Sequence, residues 1–228
     1  MVTIVEFIFV YQRIFYFSHM KKRTDKPRER SKDRSKQQFL EAVGKILKTK
    51  GYAGLKVNDI AATAGLDKKL IYKYFGGTDQ LMDEYIRSQD FWSNVTREQM
   101  PSDISDGGKG LSGEMLQLQF DYVSKNKELQ KVLLWRLSEQ RKSLRKLTDA
   151  QEESGEALFQ AVTDPHFGDK AESFRAVMAI LVSGVYYLNL YAAINGSVFC
   201  GLDIKSENGR EKIGEALKFL VDQTYEGL

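Results

Sequence analysis

The chain has 228 residues, 42% of them hydrophobic and 29% charged, with a formal net charge of +3. That length allows one small and one larger domain with a real core, and the composition excludes several chemistries. One cysteine, Cys200, rules out an internal disulfide and suits a reducing cytoplasm; it reads as a plain small loop residue, with a redox-sensing thiol as the alternative. Two separated histidines, His19 and His166, and a single Cys cannot supply a usual metal site. No nucleotide-binding loop or nucleophile elbow is present, and the carboxylates lie on charged helix faces, so no catalytic residues, cofactor or metal are expected. Three prolines and long helical periodicities point to an all-α fold.

Met1 to His19 is rich in Ile, Val, Phe and Tyr. It has about the length of a membrane span, but Glu6, Gln12 and Arg13 interrupt it. It lacks the basic start and the small-residue cleavage site of a signal peptide. The expectation is that translation starts at Met20. The alternatives are a membrane tether, with the following positive run kept on the cytoplasmic side, and an ordered or interfacial extension. Lys21 to Lys36 is a polar run without apolar periodicity. It reads as a flexible basic arm able to add phosphate or minor-groove contacts, or as a solvated disordered tail.

The first amphipathic helix spans roughly Lys36 to Lys50. Phe39, Val43, Ile46 and Leu47 form one stripe at i, i+4, i+7 and i+8, and Gly51-Tyr52 stops it. Val57 to Phe75 reads as two short helices joined by a tight turn, the arrangement by which a helix-turn-helix places one helix in the DNA major groove. Ile60 and Ala61 point inward, and the small Ala61, Ala62 and Ala64 let a second helix approach. Gly65 follows the first helix where a left-handed residue is wanted, and Asp67 is placed to cap the next. Leu70 and Ile71 anchor the second helix, Tyr74 and Phe75 close it, and Lys68, Lys69, Tyr72 and Lys73 are left facing outward. Lysines neutralise phosphate, and tyrosine offers a hydroxyl and a flat ring. A helical hairpin with a merely solvated charged face is the alternative. After Gly76-Gly77, Thr78 is placed to cap a further helix with Leu81, Met82, Tyr85 and Ile86 inside.

These residues carry a family resemblance. Lys50-Gly51-Tyr52, Val57-Asn58-Asp59-Ile60-Ala61, Ala64-Gly65-Leu66 and Ile71-Tyr72-Lys73-Tyr74-Phe75-Gly76 resemble, in order and at the right spacing, the DNA-binding domain of tetracycline-repressor-type (TetR family) transcription regulators. The resemblance covers roughly residues 35 to 86; the rest of the chain fits only in length and helical pattern. It implies that Asp67 to Phe75 is the recognition helix, with Lys68, Lys69, Tyr72 and Lys73 at positions that face DNA and Asn58 at another that often reaches it. Two positions depart from the family. Lys56 stands where Ser or Thr usually caps the second helix; lysine cannot cap, but it can reach a phosphate. Leu70 stands where a small or hydroxylated residue is usual, and it can pack or touch a thymine methyl.

Charge agrees with this placement. Met20 to Gln80 carries 16 Lys/Arg against 7 Asp/Glu, and Leu81 onward 17 against 23. A basic head suits a polyanion, and an acidic body is not drawn to it. The expected organisation is a hydrophobic extension at 1–19, a basic arm at 20–35, a helix-turn-helix domain at 36–86, and a helical effector-binding and dimerisation domain at 87–228.

Pro101 to Gly113 reads as a Gly-rich break. Helices follow at Glu114 to Ser124, Glu128 to Leu137 and around Ser138 to Val162, the last closed by Asp164-Pro165. Lys170 to Asn195 is apolar on several faces and so needs several partners. Gly196 to Gly209 connects it to Asn208 to Tyr225, whose stripe is Ile213, Ala216, Leu217 and Leu220. The resemblance implies that these last two helices, about 170–195 and 208–225, pair with their copies in a homodimer; serving only the monomer core is the alternative. A two-fold dimer presents two recognition helices about one DNA turn apart, hence a palindromic operator. The resemblance also implies an unknown small-molecule effector among the C-terminal helices. Candidate walls are Phe120, Tyr122, Trp135, Tyr187 and Tyr191, with Arg175 and Asn189 as polar anchors, although aromatics at helical spacing also serve as ordinary core. The expected function is a cytoplasmic dimeric repressor, released from double-stranded operator DNA by that effector. Activation, effector-independent or nonspecific DNA binding, and a membrane-tethered regulator are the alternatives.

Overall fold

The first helix starts well before its apolar stripe. The computed structural model describes residues 27–89, 91 and 104–228, with side chains from Ser31 onward, and α1 runs Pro27–Lys50. The hydrophobic extension and the first part of the basic arm lie outside the described residues. From Pro27 on, the expectation of a flexible arm is corrected: this stretch is helical. Residues 27–42 hold no glycine and are rich in Lys, Arg, Glu and Gln, which are good helix formers, and proline is tolerated in a first turn.

The described residues form two compact units, one of residues 27–89 with 127–151, the other of 104–126 with 152–228. In the first, α1 buries Phe39, Val43, Ile46 and Leu47, and ends at Gly51, whose N–H donates to Leu47 O at 3.2 Å. One 3-10 turn, Tyr52–Gly54, leads to α2 (Val57–Ala64), α3 (Lys69–Phe75) and α4 (Thr78–Ser88). Leu81, Met82, Tyr85 and Ile86 are buried as their spacing requires. Thr78 is the first residue of α4 rather than its cap; Gly77 holds the cap position, and no side chain bonds there.

Two further helices, α6 (Lys127–Ser138) and the first part of α7 (Lys142–Leu158), complete this unit, although the sequence partition placed them in the C-terminal domain. Val132, Trp135, Leu144 and Leu147 join the same apolar cluster as Phe39, Ile46 and Leu81. Trp135 stacks on Tyr52 with ring centroids 5.9 Å apart and planes 5° from parallel. Glu128 accepts hydrogen bonds from the Tyr85 hydroxyl at 2.8 Å and the Lys48 ammonium at 2.6 Å. Burial first, and then the Glu128 carboxylate, raise the Tyr85 phenol above its ordinary value. Asp83 pairs with Lys146 at 2.9 Å, and Asp79 with Arg141 at 3.2 Å.

In the second unit, α5 (Lys109–Lys125) begins inside the stretch expected to be a break. The Asp106 carboxylate makes this possible by accepting the N–H groups of Gly108, Lys109 and Gly110 at 2.9, 3.1 and 2.7 Å. After α7 a π turn (Phe159–Thr163) runs into a short α8 (Asp164–Phe167), so Asp164-Pro165 does not close the helix; the wider turn accommodates proline in the next first turn. A 3-10 turn leads to α9 (Ala171–Ile194). The expected plain connector then holds a small antiparallel hairpin, β1 (Val198–Phe199) and β2 (Leu202–Asp203), with Val198 opposite Asp203. The final helix, α10 (Glu207–Gly227), is capped by Ser206, whose hydroxyl accepts from Gly209 N–H at 3.0 Å.

The core of this unit unites Leu116 and Phe120 of α5, Phe167, Phe174, Met178, Leu181 and Val185, with Leu217 and Val221 of α10. On α10 the inward row thus passes through Val221. Ala216 and Leu220, which the sequence stripe included, are exposed. The Tyr225 hydroxyl donates to Gly107 O at 3.0 Å, and burial pushes this phenol up to about 12.

Candidate nucleic-acid interface

The turn between α2 and α3 is built by three residues. Gly65 takes φ +66°, and its N–H donates to Ala62 O at 3.2 Å. The N–H of Leu66 reaches back to Ala61 O at 3.1 Å, and these two bonds together make the Schellman closure of a helix. Asp67 accepts the Lys69 N–H at 2.8 Å and so satisfies one free donor at the start of α3.

Packing then fixes which face of α3 is outside. Ile71 is fully buried, and Leu70 is half-buried and packs against the same cluster. Phe75 meets Phe39 edge to face at 6.1 Å, with the Lys36 ammonium 4.9 Å over its ring. At about 100° per residue, Lys69, Tyr72 and Lys73 share an arc of about 100° opposite Ile71. All three are exposed, Tyr72 by 55%. Lys68 is exposed at the turn, and its ammonium donates to Asn58 Oδ1 at 3.2 Å, linking the turn to the start of α2. Lys56 is exposed at the cap position of α2 and makes no side-chain cap bond; its carbonyl accepts the Ile60 N–H at 2.9 Å. All six residues expected to face DNA are therefore exposed side chains of α2, α3 and the residues that lead into them.

The seven residues expected to line an effector pocket do not form a single cluster, although Asn189 meets Phe120 and Tyr187 meets Tyr191. Trp135 lies in the core of the other unit, against Tyr52, because α6 packs with the helix-turn-helix. Arg175 is engaged with Glu156 and Asp164, with its guanidinium 5.0 Å over Phe159. Those hydrogen bonds hold the Glu156 carboxyl below its ordinary value. Asn189 is buried but satisfied, donating to Phe120 O at 3.0 Å and Val185 O at 2.9 Å. Phe120 is core, with Arg210 4.1 Å over its ring. Tyr122 is half-buried and accepts from Asn126 Nδ2 at 3.3 Å. Tyr187 is 55% exposed and, with Tyr191, packs against Phe199 of the hairpin. Among the described residues no three His, Cys, Asp or Glu side chains gather where a metal ion would sit.

Two short helices at a glycine turn, with lysines and a tyrosine outward on the second, define a helix-turn-helix DNA-binding protein. Residues 39–85 match the family described as bacterial regulatory proteins, tetR family. These residues are therefore similar to the DNA-binding domain of that family. The chain is 22% identical over 174 residues to the uncharacterized HTH-type transcriptional regulator YfiR of Bacillus subtilis (strain 168), covering 70% of this chain and 77% of that one. A TetR-like transcriptional regulator from Rhodococcus sp. RHA1 shares the fold, with a TM-score of 0.53 at 16% identity over 85% of this chain and 97% of that one.

Proposed function

We propose that the chain is a cytoplasmic dimeric repressor that occupies a palindromic operator and releases it on binding a small-molecule effector. The observation that carries the DNA contact is the outward arc of α3. Lys69, Tyr72 and Lys73 are exposed on it while Ile71, opposite them, is fully buried. In this reading Lys56, Lys68, Lys69 and Lys73 contact phosphates, and Asn58 and Tyr72 add groove contacts.

Exposed apolar side chains support the dimer. On α9, Ile180, Tyr187 and Ile194 recur every seven residues and are at least half exposed, and on α10 Phe219 and Leu220 are exposed. A second copy of the same two helices covers such faces in an isologous contact. The effector acts by differential affinity, favouring a head spacing that no longer fits both half-sites.

The test is selection of random duplex DNA on the protein beginning at Met20, beside a Tyr72→Ala, Lys73→Ala variant. An enriched palindrome that the variant loses is expected. Binding without enrichment that weakens only with salt would overturn the operator reading.

A further inference from the structure

We propose that Gln119 is the hydrogen-bond acceptor of the effector site, and that the effector is an uncharged, mainly apolar molecule carrying an N–H or O–H donor. This rests on the effector reading above and names its chemistry.

Helix α5 buries two rows. Leu116 and Phe120 enter the core shared with α9 and α10. Leu111, Met115, Gln119 and Val123, spaced by four, form a separate row about one residue round the helix. All four are buried, with Gln119 only 6% exposed. A row of this kind calls for Leu or Met at its third position, and the chain places an amide there.

The amide carbonyl is the unusual atom. Gln119 Oε1 is fully enclosed and accepts no hydrogen bond. Other buried polar side chains in this unit are satisfied within the chain. Ser112 donates to Gly108 O at 2.8 Å, and Asn189 donates to two carbonyls. Native chains rarely leave a buried acceptor unmet, because it has given up water and gained nothing. A ligand that parts this row and donates to Gln119 supplies what is missing.

The surroundings define the rest of the ligand. Leu111, Met115 and Val123 offer apolar contact, and methionine adapts to irregular shapes. Among the described residues the buried polar side chains are Ser112, Gln119, Ser143, Thr163 and Asn189, none of them charged. Leu111, Met115 and Val123 themselves offer no charge to offset a charged ligand, so a neutral donor is favoured.

The test uses the full chain and two matched probe pairs, indole with 1-methylindole and 2-naphthol with 2-methoxynaphthalene. Binding is measured by titration calorimetry on wild type, Gln119→Leu and Gln119→Met, with operator release followed in parallel. In at least one pair the donor-bearing member is expected to bind wild type about tenfold or more tightly than its methylated partner. Either substitution is expected to erase that preference while keeping the methylated probe, and to leave the melting temperature unchanged or raised. Two variants keep the test available should one fail to fold. Equal binding of both members, a preference that survives substitution, or no binding of any probe at millimolar concentration would overturn the assignment. Operator release by a probe whose binding ignores Gln119 would sink the Gln119 role while sparing the effector reading. Donor-dependent binding without release would do the reverse.

Discussion

Gly44 lies in the middle of α1, where alanine ordinarily stabilises a helix by roughly 0.5–1 kcal/mol over glycine. Here the sign is expected to reverse. A Cβ on Gly44 would stand 2.8 Å from Glu128 Oε2 and 3.1 Å from the Tyr85 hydroxyl, two atoms that are themselves hydrogen-bonded at 2.8 Å. The carboxylate must withdraw, and the Tyr85 phenol, 2% exposed, loses its charged acceptor. A hydrogen bond to a charged group contributes about 1.5–3 kcal/mol. The Lys48–Glu128 pair is partly exposed and adds at most about 1 kcal/mol. Set against the helix gain, Gly44→Ala should destabilise the chain by about 1–2 kcal/mol in urea unfolding. In a Glu128→Ala background the obstruction is gone, and the same substitution should stabilise by roughly 0.5–1 kcal/mol. A Gly44→Ala that stabilises wild type, or that has the same effect in both backgrounds, refutes the reasoning.

Gly65→Ala should cost about 1–2 kcal/mol in thermal unfolding, because φ is +66° and a Cβ there meets nothing within 4 Å, leaving only the backbone penalty. Lys73→Ala should leave the melting temperature unchanged and lower the slope of log affinity against log salt by about 0.9, the signature of one lost phosphate contact. Glu156 is held by Arg175 below its ordinary value of 4.5, so the stabilisation from this pair is present above that value and is lost as pH falls through the lower folded value. The melting-temperature gap between wild type and Arg175→Gln should therefore be open at pH 7 and close in acid. A fragment of residues 20–90 forfeits Val132, Trp135, Leu144 and Leu147, worth about 1.5–3 kcal/mol each, which together match the whole stability of a small domain. It should show no cooperative melt by circular dichroism.

The all-α class and most helix limits were legible because they depend on local signals. Gly51, Gly65 and Asp67 act within a few residues of themselves, and the stripe of Phe39, Val43, Ile46 and Leu47 admits only one inward face. Signals failed where a distant or unusual partner decides. Asp106 starts α5 by accepting three N–H groups, which overrides the break that Gly107, Gly108 and Gly110 suggest. A π turn carries the helix past Asp164-Pro165. Whether Leu220 or Val221 faces inward on α10 differs by one residue of phase, and only the packing against α5 and α9 chooses Val221.

The two candidate sites divide along the same line. Outward residues of α3 follow from helix phase once Ile71 is inside, so Lys69, Tyr72 and Lys73 could be chosen from spacing alone. Pocket residues follow from what surrounds them. Trp135 looked like a wall residue because it is large and aromatic, yet its surroundings are Tyr52 and the helix-turn-helix core. Asn189 looked like a polar anchor, yet its amide is spent on the backbone of α5 and α9. Gln119, a glutamine among apolar residues, reads as a surface interruption until the row is known to be buried. Burial changes its meaning: an exposed carbonyl loses nothing to water, whereas an enclosed and unmet one marks where the chain is incomplete by itself.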